Sequence, residues 1–130
     1  MYIIIAGCGK LGSSIAREFL DEGHNVVIID KDKERLESLG KGINALRLSG
    51  VEYDIDTLRE AGIEYCNLFL ALTQNDSINI TACRIAKKVF NVNRVIARAV
   101  DMNKEHIYTS LGIDYISPIK LGIQEIKSRV

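Results

Sequence analysis

Tryptophan is absent from this 130-residue chain, proline occurs once and histidine twice. With so few histidines, and with His24 and His106 both in polar surroundings, no general base stands out. Cysteine is sparse and odd in number: Cys8, Cys66 and Cys83 form no C-x-x-C and share no zinc spacing with histidine. That excludes a disulfide framework and a zinc site, and leaves three reduced, buried small residues as the expectation. Net charge is also missing: 17 basic side chains balance 17 acidic ones. Nucleic acid, an anionic lipid surface or a polyanionic substrate is therefore not the expected partner. No apolar run approaches the ~18 residues of a membrane span. The N-terminal run Tyr2 to Ala6 is one strand long and is broken by glycine, so no signal peptide is read there and a soluble protein is expected. G-x-S-x-G and the P-loop pattern do not occur, and no tyrosine has a lysine four residues later. Without a nucleophile, an acid–base pair or a metal set, neither catalytic nor metal-ligating residues are expected, and the chain reads as a binding module.

What is present is alternation. Apolar runs of strand length, Tyr2 to Ala6, Val26 to Ile29, Ala45 to Leu48, Leu68 to Leu72, Val95 to Ala97 and Tyr115 to Ser117, are separated by helical patterns. The first helix carries Leu11, Ile15 and Phe19 on one face and ends at Gly23. A charged helix is expected over about 32–39, a brief one capped by Asp54, a longer one over about 75–89, another over about 104–111, and a last one beginning at Pro118. In the long helix, Ile78, Ala82, Ile85 and Val89 form the expected buried face. Continuously apolar strands are covered on both faces, and short links make right-handed βαβ units. The expected fold is α/β, a Rossmann-type doubly wound parallel sheet of six strands in the order 3-2-1-4-5-6, with residues 1–130 as one domain.

The chemistry sits at Gly7-Cys8-Gly9-Lys10-Leu11-Gly12, a G-x-G-x-x-G between a strand and a helix. Gly7 permits the tight turn, Gly9 lets a pyrophosphate approach the backbone, and Gly12 lets the helix pack close to the sheet. The helix N-terminus offers unpaired N–H groups and about half a positive charge to phosphates. Lys10 lies in reach of a phosphate. Asp30 ends the second strand, where a carboxylate accepts from ribose hydroxyls and repels the 2′-phosphate of NADP; Lys31 beside it softens that discrimination. The expected ligand is NAD or another adenosine compound without a 2′-phosphate.

Several stretches together carry a family likeness: Tyr2 through Gly12, Glu22 through Asp30, Glu60-Ala61-Gly62-Ile63, and Ala71-Leu72-Thr73 with Asp76 and Asn79. To these add Val95-Ile96-Ala97-Arg98, Leu111-Gly112-Ile113-Asp114 and Ile116-Ser117-Pro118. Over nearly its whole length the chain resembles the nucleotide-binding domain called RCK, KTN or TrkA-N, which regulates potassium channels and potassium uptake. The resemblance implies a cytoplasmic regulator bound to a membrane potassium transporter or channel subunit. It implies NAD(H) as the first candidate ligand and ATP, ADP or AMP as others, and a homodimer often built into a larger ring. It carries Thr73, after the fourth strand, into the ligand cleft, makes Asn79 a ligand-side polar contact, and makes Arg98 a phosphate-binding or inter-subunit arginine. After the third strand the family usually has Gly-Asp-Ala by the adenine; here the residues are Gly50-Val51-Glu52, which puts the choice of nucleotide in question. In the family the final segment crosses to the neighbouring protomer. Ile116, Ile119, Ile123, Ile126 and Val130 recur at spacings of three and four, an amphipathic seam suited to that crossing or to packing on its own sheet. The family's frequent C-terminal domain is not among these residues. Two other functions fit the residues: the cofactor half of an oxidoreductase whose substrate domain lies elsewhere, and a free-standing nucleotide sensor acting on other proteins or on DNA, DNA being disfavoured by the neutral charge.

Overall fold

The computed structural model describes residues 1–130. Its elements run β1 (Tyr2–Ala6), α1 (Lys10–Asp21), β2 (Asn25–Asp30), α2 (Lys33–Glu37), β3 (Leu46–Ser49) and α3 (Ile55–Glu60). The second half continues with β4 (Leu68–Ala71), α4 (Asp76–Lys88), β5 (Arg94–Arg98), α5 (Glu105–Ser110), β6 (Asp114–Ile116) and α6 (Pro118–Ser128). Short 3-10 turns lie at Ile63–Tyr65 and Met102–Lys104. All strands are parallel in one six-stranded sheet of order β3-β2-β1-β4-β5-β6, as the apolar runs and their spacing indicate.

Strand alternation sorts the core into two layers. Ile3, Ile5, Val26, Ile28, Leu68 and Leu70 point to the side of α1 and α2, where Ala16 and Leu36 meet them. Ile4, Ala6, Val27, Ile29, Phe69 and Ala97 point the other way, towards Leu58 of α3, Ala82 and Ala86 of α4, and Tyr108 of α5. Both faces are thus filled, which is why the strands read as unbroken apolar runs. Helix starts are fixed by side-chain caps: Asp32, Asp54, Asn75 and Ser117 accept from the backbone N–H of Glu34, Thr57, Ile78 and Lys120.

Two expectations change. The buried stripe of α4 is Asp76, Asn79, Ala82, Cys83 and Ala86, not the Ile78–Ala82–Ile85–Val89 face. The helix lies so close to the sheet that small and polar residues fill the contact, while Ile78 and Ile85 sit at its margin and Val89 is 55% exposed. Of the two readings of the last helix, packing on its own sheet does not occur: no residue of α6 is buried. On the α1 side the sheet is less covered towards β5 and β6, where Leu11, Ile15, Phe19, Leu70, Ile96 and Ile116 line an apolar groove. No helix is long and apolar enough to cross a membrane.

The exposure of Val89 at the end of α4 has a direct test in urea unfolding, with Phe69 of β4 as the buried reference. Phe69→Ala empties a fully buried site and is expected to cost about 3–5 kcal/mol, whereas Val89→Ala should stay within about 0.5 kcal/mol.

Candidate functional site

Five loops meet at the C-terminal ends of β1 to β5, the side on which open α/β sheets receive ligands. The glycine turn is the centre. Gly7 has φ +113°, and a Cβ there would lie 2.8 Å from the Thr73 backbone nitrogen. At Gly12 a Cβ would lie 1.9 Å from the Gly7 carbonyl oxygen, so only glycine lets α1 start this close to β1. Gly9 is different: nothing stands within 4 Å of where its Cβ would be. It also caps α1, with no side chain bonded to the first-turn N–H groups. A 12-residue helix therefore aims its positive end at open rim, the arrangement that holds a phosphate. Lys10 is exposed beside it, while Leu11 turns inward and packs against the α1-side core, leaving only its backbone for a ligand.

Asp30 is 1% exposed. One carboxylate oxygen accepts from the Cys8 N–H at 2.8 Å, the other from the Asp32 N–H at 2.8 Å, and the Arg35 guanidinium stands 3.9 Å away. It is not the cap of α2, a role Asp32 takes. It latches the glycine turn to the end of β2 and keeps spare lone pairs for further donors. The Cys8 thiol is buried, and burial followed by the charge of Asp30 raises its pKa, so it stays protonated and unreactive. Lys31 is exposed; its backbone N–H reaches Glu52 Oε1 at 3.4 Å. Gly50, whose N–H donates to the Asp30 carbonyl at 3.1 Å, leads into Val51, 42% exposed, and Glu52, 2% exposed.

At the other end of the rim Asn79 departs from expectation. It is fully buried and saturated: its Oδ1 accepts from the Thr73 N–H at 3.0 Å and the Thr73 hydroxyl at 2.6 Å, and its amide donates to the carbonyls of Thr73 and Arg98. It ties the ends of β4 and β5 together and is not an open ligand contact; Thr73, half-buried, is what it places on the rim. Arg98 lies on the strand face of Ile96, that of α1 and the glycine turn. Its Nε is buried without an acceptor, and none of the five ion pairs in the chain includes it. A cation held without a carboxylate partner suits an anionic group.

One device had no place among the sequence candidates. Asp76, 5% exposed, accepts from Val100 N–H at 2.8 Å, Asp101 N–H at 2.9 Å and the Tyr108 hydroxyl at 2.6 Å. It pins the segment after β5 and so fixes where Arg98 stands. Its spacing of three from Asn79 was the available signal, since both fall on one face of α4. Burial works to raise the Asp76 pKa, but the hydrogen bonds from Tyr108, Val100 and Asp101 outweigh it and hold the carboxyl below its usual value. Burial and then the bond to Asp76 push Tyr108 far up. A polar concavity lies at the opposite rim, lined by Arg17, Asp21, Gly23, His24, Asn25 and Asn44; no helix begins there. No group of three or more metal-ligating side chains comes together.

Comparison with known proteins agrees with this fold. The family model for the TrkA-N domain matches residues 3–118. The Trk system potassium uptake protein TrkA of Streptomyces coelicolor is 37% identical over 130 residues, covering 100% of this chain and 58% of that protein. A TrkA homolog of Methanothermobacter thermautotrophicus is 30% identical over 116 residues, 89% of this chain and 53% of that one. The chain thus spans little more than half the length of these relatives. Among solved structures, the TrkA-N domain of the inner membrane protein ybaL from Escherichia coli superposes with a TM-score of 0.88 at 15% identity, covering 99% of this chain and 96% of that one. The AMP-bound Kef CTD of Shewanella denitrificans gives 0.78 at 21%, over 98% and 80%. The GsuK channel bound to NAD gives 0.74 at 16%, over 88% and 21%.

The stability that Asp76 supplies is present in full above the ordinary carboxylate value of 3.8 and is lost as pH falls through its lower folded value. Asp76→Asn should therefore cost about 2–3 kcal/mol at neutral pH and flatten the acid limb of a stability–pH curve measured by chemical unfolding.

Proposed function

The chain belongs to the TrkA-N domain family, and on that footing we propose that it is a regulatory module that couples binding of an adenine nucleotide to potassium flux through a membrane-embedded transporter or channel. The observation that carries this reading is the pairing, on one rim, of an uncapped α1 N-terminus with open space at Gly9 and the unpaired Arg98 on the same face of the sheet. In this reading the backbone of Gly7 to Gly12 cradles the phosphates, with Lys10 close by. Asp30 and Lys31 flank the ribose, Gly50 and Val51 border the base, and Thr73 and Arg98 face the far end of the ligand. NAD(H) is the first candidate over NADP(H), because a buried carboxylate at Asp30 disfavours a 2′-phosphate; ATP, ADP and AMP also lack that group and keep the same adenosine end. Solved proteins that contain this fold include a Kef CTD in AMP-bound form and a GsuK channel bound to NAD, which supports the class of ligand.

Residues 1–130 act as one domain in this reading, and residues 118–130 form its arm. An α6 with Ile119, Ile123 and Ile126 all exposed and an apolar groove beside α1 are surfaces that are not joined within one copy. Two copies exchanging arms bury both, giving a homodimer that larger rings are built from. The module works on the cytoplasmic side, through its membrane partner, and acts by binding and not by turnover. A nucleotide shifts such an assembly only by its different affinity for two arrangements. The Ile116 end of the groove connects the arm to the strand neighbouring Arg98, so phosphate contact and arm position share one edge of the sheet.

Calorimetric titration with NAD⁺, NADH, NADPH, ATP, ADP and AMP tests the ligand. One of the unphosphorylated set should bind tightly, with NADPH much weaker, and Arg98→Ala should weaken binding about tenfold or more. An unchanged affinity would remove Arg98 from the site. Truncation after Ser117 should give monomers in sedimentation velocity where the full chain gives dimers; dimers that survive it would show that α6 is not the interface.

A further inference from the structure

Glu18, Glu22, Arg94 and Lys127 are exposed, and none of them joins an ion pair within the chain. Along α1, Glu18 and Glu22 continue the stripe of Leu11 and Ile15 at spacings of three and four, on the side away from Arg17 and Asp21. They edge the apolar groove from the helix side. Its other border is β5, where Arg94 and Arg98 share the strand face of Ile96. The groove is therefore acidic along α1 and basic along β5.

The arm is uneven in the same way. At about 100° per residue, Lys120 and Lys127 fall on one flank of the Ile119–Ile123–Ile126 seam. Glu125 and Arg129 fall on the other and neutralise each other at 2.7 Å. Lys120 is engaged by Glu105 of its own copy at 3.6 Å, which leaves Lys127 as the free side-chain charge of the arm. Right-handed winding couples flank to direction. With its seam on the sheet, an arm in the groove turns its lysine flank to α1 only when it runs the same way as α1. Run the other way, it sets both lysines against Arg94 and Arg98. The lengths also agree: α6 has 11 residues and α1 has 12, about 17 and 18 Å. Lys127, in the last turn of the arm, then comes level with Glu18 and Glu22 at the far end of α1. We propose that the arm of a second copy lies in the groove parallel to α1, with its Lys127 seated on Glu18 and Glu22, and that this charge match fixes the direction of the arm. The inference rests on the arm exchange proposed above and adds its direction and the residues that set it.

Charge reversal in the full chain, read by sedimentation, is the test. The groove variant carries Glu18→Lys with Glu22→Lys, and the arm variant carries Lys127→Glu. Each alone sets like charges together at both contacts of a two-fold dimer and is expected to raise the dimer Kd about tenfold. In an equimolar mixture each variant meets opposite charge on the other at both contacts, so heterodimers of near-native affinity should form. A chain carrying all three substitutions should dimerise by itself. Variants that each dimerise as tightly as the native chain would overturn the assigned direction and leave arm exchange intact, as would a mixture no tighter than either variant alone. A native chain that is monomeric, or one truncated after Ser117 that still dimerises, would overturn arm exchange and the inference together. Should the groove variant not fold, Lys127→Glu decides alone, by weakening the dimer or leaving it unchanged.

Discussion

The contact between Gly12 and the carbonyl of Gly7 sets the geometry on which the rest depends. A methyl group at Gly12 would sit 1.9 Å from that oxygen, so the absence of one side chain lets α1 begin directly against β1. Because α1 starts there, its free N–H groups point out of the C-terminal edge of the sheet, where helix dipole and backbone donors act together on an anion. Asp30 then fixes the turn from the neighbouring strand through the N–H of Cys8. Two glycines and one buried carboxylate thus hold a short loop in the shape a phosphate needs.

Around that centre the rim is organised by polar side chains that do not themselves face solvent. Asn79 holds the ends of β4 and β5, and Asp76 with Tyr108 holds the segment beyond β5. Strand ends carry backbone groups with no partner in the sheet, and burying them without hydrogen bonds would be expensive. These side chains satisfy those groups and keep the loops rigid enough to position Thr73 and Arg98. The resulting charge pattern is uneven. Carboxylates of Asp30 and Glu52 lie at the ends of β2 and β3, and an unpaired guanidinium at the end of β5. A nucleotide, with donors on its adenosine end and anionic charge further along, matches that polarity.

The hydrophobic surface is as uneven as the charge. The side of the sheet facing α3, α4 and α5 is filled, whereas the α1 side is filled only in part. Under the proposed function, the exposed amphipathic helix and the apolar groove are the surfaces that a second chain covers. In that proposal, the arm and the ligand rim meet at the same strand edge, β5 and β6.

The sequence alone determined the strands, their order and the phosphate turn. Apolar runs reveal strands buried on both faces, and the spacing from Gly7 to Gly12 and on to Asp30 is local enough to read without coordinates. Tertiary structure decided what depends on distance between elements. The buried stripe of α4 could not be read from its large residues, because a helix pressed against a sheet buries Ala82, Cys83 and Ala86 and leaves Val89 outside. Asn79 read as a ligand contact because a polar residue near a helix start looks the same whether it faces solvent or two strand ends. Glu52 was visible only as a neighbour of Val51; its burial, and the oxygen it leaves without a donor, follow from how the β3–α3 loop folds back on Lys31. The placement of α6 was equally beyond periodicity, since an apolar seam specifies that a helix packs and leaves open which chain it packs against.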